Sequence, residues 1–169
     1  QITNNAATLG ADVSSTKFAE LRELLEDKML DPSVKVLIFT VFATTTNELV
    51  EYLSDFAPLL ISGAVKNDDR QKVLAQFKDA RRLIISPDAG GEGLNLEDAS
   101  IVVMVALPWS YSKYAQRIGR AHRKGKRRPV QVFSLQARGT VDEYCWQIVQ
   151  NKKEMSNAMS REDIKKLLV

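Results

Sequence analysis

The 169-residue chain is sparing with the residues that usually announce chemistry: one cysteine, one histidine, 8 glycines, 5 prolines and only 7% aromatics. A single cysteine, Cys145, excludes an intramolecular disulfide and the small stapled folds of oxidising compartments. We therefore expect an intracellular, reducing setting, in cytoplasm, nucleoid or nucleus, with Cys145 as a small buried hydrophobe. The only histidine, His122, has no cysteine or carboxylate at metal-ligand spacing and no serine or cysteine partner, so it is read as structural or hydrogen-bonding. No apolar run approaches the ~20 residues that a membrane span requires, the longest being 101–109. The opening Gln1-Ile2-Thr3-Asn4-Asn5 is neither an initiator methionine nor a charged-then-apolar leader, and we expect a segment of a longer protein. With 44% hydrophobic and 27% charged residues, the composition excludes a disordered or fibrous chain.

Acid is also missing where base is dense. Seven of the 24 lysines and arginines fall within 117–128, which holds no Asp or Glu; outside it 17 bases face 21 acids. The net charge of +3 is thus one basic patch on an acidic body, and such a patch suits phosphate.

Short apolar runs rich in Val and Ile at 34–40, 59–62, 82–86, 101–106 and 130–135 read as strands. Their near-continuous hydrophobicity fits a parallel sheet covered on both faces. Helical patterns fill the gaps at 16–28, 45–56, 67–78, 112–123 and 140–159, the last opened by a capping box at Thr140-Val141-Asp142-Glu143. The alternation predicts a doubly wound α/β domain, whose ligands sit at the carboxyl ends of the strands. Three loops lie there, 40–46, 86–95 and 108–111.

The loop from Ser86 to Asn95 carries Gly90-Gly91-Glu92-Gly93. Three glycines in four positions allow backbone amides to converge on an anion; a tight strand-to-helix turn is the plainer alternative. Further on, Gln116-Arg117-Ile118-Gly119-Arg120-Ala121-His122-Arg123 puts Arg120 and Arg123 at i and i+3, on one face of the expected helix. Planar, permanently charged guanidinium groups suit a phosphoryl group that gains charge in a transition state, although a solvated basic face has the same spacing. Trp109 and Tyr111 follow a strand end and either stack on a base or pack against protein. What is absent matters as much: no GxxxxGK[ST] cradle occurs, and no acidic box closes an apolar strand. The chain can lend arginines to a nucleotide without owning the site that holds it.

The glycine loop, the Gln-x-x-x-Arg-x-His-Arg string and the missing phosphate cradle together resemble the second RecA-like lobe of superfamily-two helicases, close to the Snf-type, chromatin-remodeller-like branch. Residues 35–40 resemble helicase motif IV, 86–95 motif V and 116–123 motif VI; Ser15-Thr16-Lys17 is similar to the start of that lobe. There are departures: Gly119 stands where the Snf-type pattern has Asp, Lys124-Gly125-Lys126 follows Arg123, and Trp109-Ser110-Tyr111 replaces Trp-Asn-Pro. Gln-Arg-Ile-Gly-Arg is also similar to the RNA-directed DEAD-box branch.

The resemblance implies a RecA-like, doubly wound, mainly parallel sheet in a single lobe at 15–159, after a polar segment 1–14 and before a tail or short helix at 160–169. It implies that Arg120 and Arg123 meet the γ-phosphate of ATP, with Gln116 ordering that site. Glu92, Gly93 and Asn95 would lie on the nucleotide side of the cleft. Thr40, Gly63, Arg70, Ser86, Ala89 and Gly90 would face the nucleic-acid backbone. ATP and Mg²⁺ would be held mainly by an N-terminal RecA-like lobe of the same protein. The implied partner is double-stranded DNA, with RNA as the alternative; no membrane is involved and the isolated lobe is expected to be monomeric. A non-catalytic nucleic-acid or protein-binding module remains the rival from another class. A dinucleotide enzyme is disfavoured, since no acidic ribose reader follows a GxGxxG.

Overall fold

The computed structural model describes residues 16–61, 67–79, 82–87, 96–122 and 129–166. Helices and strands alternate as α1 (Thr16–Lys28), β1 (Val36–Thr40), α2 (Ala43–Tyr52), β2 (Leu59–Leu60), α3 (Asn67–Asp79), β3 (Leu83–Pro87), β4 (Ile101–Met104), α4 (Tyr111–Ala121), β5 (Gln131–Ser134) and α5 (Val141–Lys166). The strands form one sheet in the order β2-β3-β1-β4-β5, and each pairing is parallel.

β1 runs down the middle, with Phe39 in register with Ser86 of β3 and Met104 of β4. All five residues of β1 and of β3 are buried, which is why both read as unbroken apolar runs. Alternate side chains feed opposite cores. Leu37 and Phe39 pack with Phe77 of α3, Ala121 of α4 and Cys145 of α5. Val36 and Ile38 pack with Phe18, Leu21 and Leu25 of α1 and Leu49 of α2. Each such large side chain contributes about 1.5–3 kcal/mol by leaving water. Cys145 is buried as expected, and burial pushes its thiol pKa up, away from reactivity.

Some boundaries differ from the expectation. α2 begins two residues early, at Ala43, and stops at Tyr52; a 3₁₀ turn over Ser54–Phe56 follows, closed by Ala57 in the left-handed region. α4 ends at Ala121 rather than 123, because His122 is extended (φ −106°, ψ 101°). The final helix does not end at 159 but continues to Lys166, into the segment expected to be a tail or short helix.

Two cations act at the amino ends of the strands. Lys35 Nζ donates to the carbonyls of Phe77 and Lys78 at the end of α3, and Arg82 Nη1 to those of Met29 and Asp31 after α1. Carbonyls that a helix end leaves unpaired are thereby satisfied. At the opposite edge, the first turns of α1 and α5 are joined by a buried ion pair between Lys17 and Asp142. Among the described residues, no helix is long and apolar enough to cross a membrane.

Candidate functional site

The loops expected to carry the chemistry leave the carboxyl edge of the sheet, and α4 sits against that edge. Ser110 starts α4, its hydroxyl accepting from the Lys113 N–H at 3.3 Å. One helix face is exposed through Ser112, Gln116 and Gly119, whereas Arg117, Arg120 and Ala121 turn inward. Arg117 is only 2% exposed: its Nη1 donates to the Ala106 carbonyl at 2.8 Å and its Nη2 to the Thr40 carbonyl at 3.5 Å. Its guanidinium lies over the Phe39 ring, 5.3 Å from the centroid, and that of Arg120 over the same ring at 5.7 Å.

The chain meets this helix just after the glycine-rich stretch. Leu96, the first described residue after it, donates its N–H to the Arg120 carbonyl at 3.1 Å. The residue that follows the glycine-rich stretch is thus tied by its backbone to α4, 24 residues further along the chain. Gln116 is exposed on α4, and Arg70 is half-buried on α3. Arg123, Glu92, Gly93, Asn95, Gly63, Ala89 and Gly90 lie outside the described residues.

The structure corrects several expectations. The helix expected to carry both Arg120 and Arg123 ends at Ala121, and Arg123 lies outside the described residues. Arg117 leaves the basic patch for the interior. Thr40 and Ser86 are each 0% exposed. The Thr40 hydroxyl is hydrogen-bonded to that of Thr46, which in turn donates to the Phe42 carbonyl, while the Ser86 hydroxyl donates to the Pro87 carbonyl at 3.2 Å. These hydroxyls are buried and hydrogen-bonded within the protein at the ends of β1 and β3. Trp109 is 58% exposed and so is not core. His122 is exposed beyond the helix, its N–H closing the last turn on Ile118.

Sequence reasoning missed Phe39 as a shared platform and Arg117 as a buried tie. A faint signal existed for the second: on a 3.6-residue period, position 117 falls on the same face as Tyr114, Ile118 and Ala121.

The profile of the helicase conserved C-terminal domain matches residues 16–125. The chain belongs to this helicase family. Its relatives put it in the Snf-type branch of superfamily two. The chromatin-remodelling ATPase INO80 of Mycosarcoma maydis is 33% identical over 150 residues, covering 86% of this chain and 8% of that protein. The ATP-dependent helicase FUN30 of Saccharomyces cerevisiae is 30% identical over 155 residues, covering 89% and 14%. The DNA repair protein RAD5 of Cryptococcus neoformans is 32% identical over 159 residues, covering 86% and 13%. The crystal structure of the C-terminal part of the Fun30 ATPase domain superposes with a TM-score of 0.74 at 28% identity, over 80% of this chain and 45% of that one. The DEAD-box protein SrmB of E. coli shares the fold, with a TM-score of 0.67 over 79% of this chain and 76% of that one. This helicase C-terminal lobe therefore has the RecA-like architecture, and it spans less than a sixth of each of the three relatives named.

Proposed function

We propose that the chain is the C-terminal motor lobe of an ATP-driven translocase on double-stranded DNA. The observation that carries this reading is the convergence at one sheet edge of α4, with Arg120 over Phe39, and the exit of the glycine-rich loop, bonded through Leu96 to Arg120. Ligands of doubly wound sheets bind at that edge. Arg120 and Arg123 act as fingers on the γ-phosphate, Gln116 orders them, and Glu92, Gly93 and Asn95 line the nucleotide side of the loop. Thr40 and Ser86 support the strand ends beneath the nucleic-acid track, to which Gly63, Arg70, Ala89 and Gly90 contribute.

An N-terminal RecA-like lobe of the same protein would hold most of the ATP and the Mg²⁺, which when bound would supply neutralisation of phosphate charge. Among the described residues no three His, Cys, Asp or Glu side chains gather as metal ligands, whereas cationic groups do approach the edge; the residues present fit a phosphate better than a cation. Arg120 and Arg123 draw this lobe inward when ATP is bound and release it after hydrolysis. Alternation between the two states steps the strand-end loops along the DNA phosphates. Contacts to phosphates carry no sequence information, so the motor is sequence-tolerant. The names INO80 and RAD5 among the relatives favour DNA and, in a eukaryotic host, the nucleus.

In the full-length protein, Arg120→Ala and Arg123→Ala are each expected to lower kcat for ATP hydrolysis by about 10³- to 10⁵-fold, with duplex-DNA affinity nearly unchanged. Retained hydrolysis, or lost affinity with a shallower salt dependence, identifies a binding module instead. Stimulation by RNA but not by duplex DNA identifies the RNA-directed alternative.

A further inference from the structure

Arg117 belongs to the acid-free stretch that the sequence assigns to phosphate, yet it is the largest wholly buried side chain among the described residues. A buried charge costs several kcal/mol of desolvation, and an apolar residue of similar volume would fill the same space without it. What the guanidinium adds is direction. Its planar fork donates at once to the carbonyl of Thr40, which ends β1, and to that of Ala106, which follows β4. These are neighbouring strands, and a lysine has no rigid fork to hold both carbonyls.

From Thr40 the linkage continues outward through its hydroxyl to Thr46 in the first turn of α2, and from there to the Phe42 carbonyl. In the other direction it continues through Phe39, whose ring lies under both Arg117 and Arg120. An unbroken set of contacts therefore runs from the 40–46 loop, through Arg117, to the guanidinium of Arg120.

We propose that Arg117 is a positioning residue that sets Arg120 relative to the loop after β1, and so couples DNA contact at that loop to the placement of the finger. This rests on the motor reading above. Arg117 touches neither nucleotide nor DNA; it acts through Arg120 and Phe39.

The test uses the full-length protein, with steady-state ATPase measured against ATP and against a duplex oligonucleotide. Arg117→Lys keeps the charge and loses the fork. It is expected to lower DNA-stimulated kcat by about 10- to 100-fold, the scale of a small misplacement. KM for ATP, DNA affinity and its salt slope stay near the parent values, and Arg117→Lys combined with Arg120→Ala is no slower than Arg120→Ala alone. An unchanged kcat, losses that multiply in the double variant, or a reduced salt slope each overturn the proposal, the last by making Arg117 a phosphate ligand. If the melting temperature shows Arg117→Lys to be poorly folded, Phe39→Leu, which removes the shared ring and leaves both arginines, carries the same expectations. Hydrolysis that survives Arg120→Ala sinks the motor reading itself. Loss with Arg120→Ala but not with Arg117→Lys sinks only the positioning role.

Discussion

Lys17 and Asp142 meet at 2.6 Å with side chains 4% and 8% exposed, pinning the first turn of α1 to the first turn of α5 although 125 residues separate them. Lys17 also donates to the Val105 carbonyl at 3.1 Å just past β4, and Asp142 accepts from the Ala137 N–H at 3.0 Å. Burial holds the Lys17 ammonium below its usual pKa, against the opposing pull of Asp142. The capping box expected at 140–143 is realised differently: Thr140 receives the Asp142 N–H, and the Asp142 carboxylate turns inward to Lys17.

Breaking this pair from one side strands a buried carboxylate. Lys17→Met is expected to cost about 3–5 kcal/mol, read as a lower urea midpoint with unchanged m. The double variant Lys17→Met with Asp142→Asn recovers most of the loss, leaving the Ala137 N–H with a neutral acceptor. Equal midpoints for the single variant and the parent would show that the pair contributes nothing.

Arg22 and Asp55 join α1 to the turn after α2, at 2.7 Å, with the Arg22 guanidinium also over the rings of Tyr52 and Phe56. The hydrogen bond from Arg22 holds the Asp55 carboxyl below its usual pKa. A depressed acid stabilises the fold above its unfolded value of ~3.9 and loses that contribution as pH falls through the folded value. Asp55→Asn is therefore expected to lower the urea midpoint slightly at neutral pH, as befits an exposed pair, and to flatten the acid limb below about pH 4, so that the two proteins converge in acid. Urea titrations from pH 6 to 3 check it, and parallel curves for the two proteins refute it.

The isolated 169-residue chain is expected to show no ATP turnover, because the residues that would cradle the phosphates and bind Mg²⁺ are not in its sequence. A coupled assay with and without duplex DNA decides this, and measurable turnover overturns the motor reading.

If Arg120 and Arg123 serve ATP and Arg117 is interior, only Lys124, Lys126, Arg127 and Arg128 of the basic stretch remain for DNA. Replacing these four with alanine in the full-length protein should shrink the slope of log affinity against log salt by about 0.9 for each DNA phosphate that is no longer neutralised. Binding titrations at several salt concentrations give the slope. An unaltered slope assigns the four residues to solubility or to a protein partner.

Much of this molecule is legible in its residues one at a time. The unbroken apolar runs at β1, β3 and β4 announce a sheet covered on both faces, the 3.6-residue stripes announce its helices, and the spacing of Gln116, Arg120 and Arg123 marks the helicase lobe. Those signals are local, since periodicity and motif spacing depend only on neighbours in the chain. What the tertiary structure alone decided is which charges face outward. Arg117 looks like any other base of the acid-free stretch, yet it reaches strand ends that β1 and β4 bring together from 77 and 11 residues away, as its bonds to Thr40 and Ala106 record. Lys17 and Asp142 likewise look like ordinary residues at helix starts until the sheet sets α1 beside α5. Burial of a charge requires partners, and which residues become partners is fixed by strand order and helix packing, not by the sequence on either side.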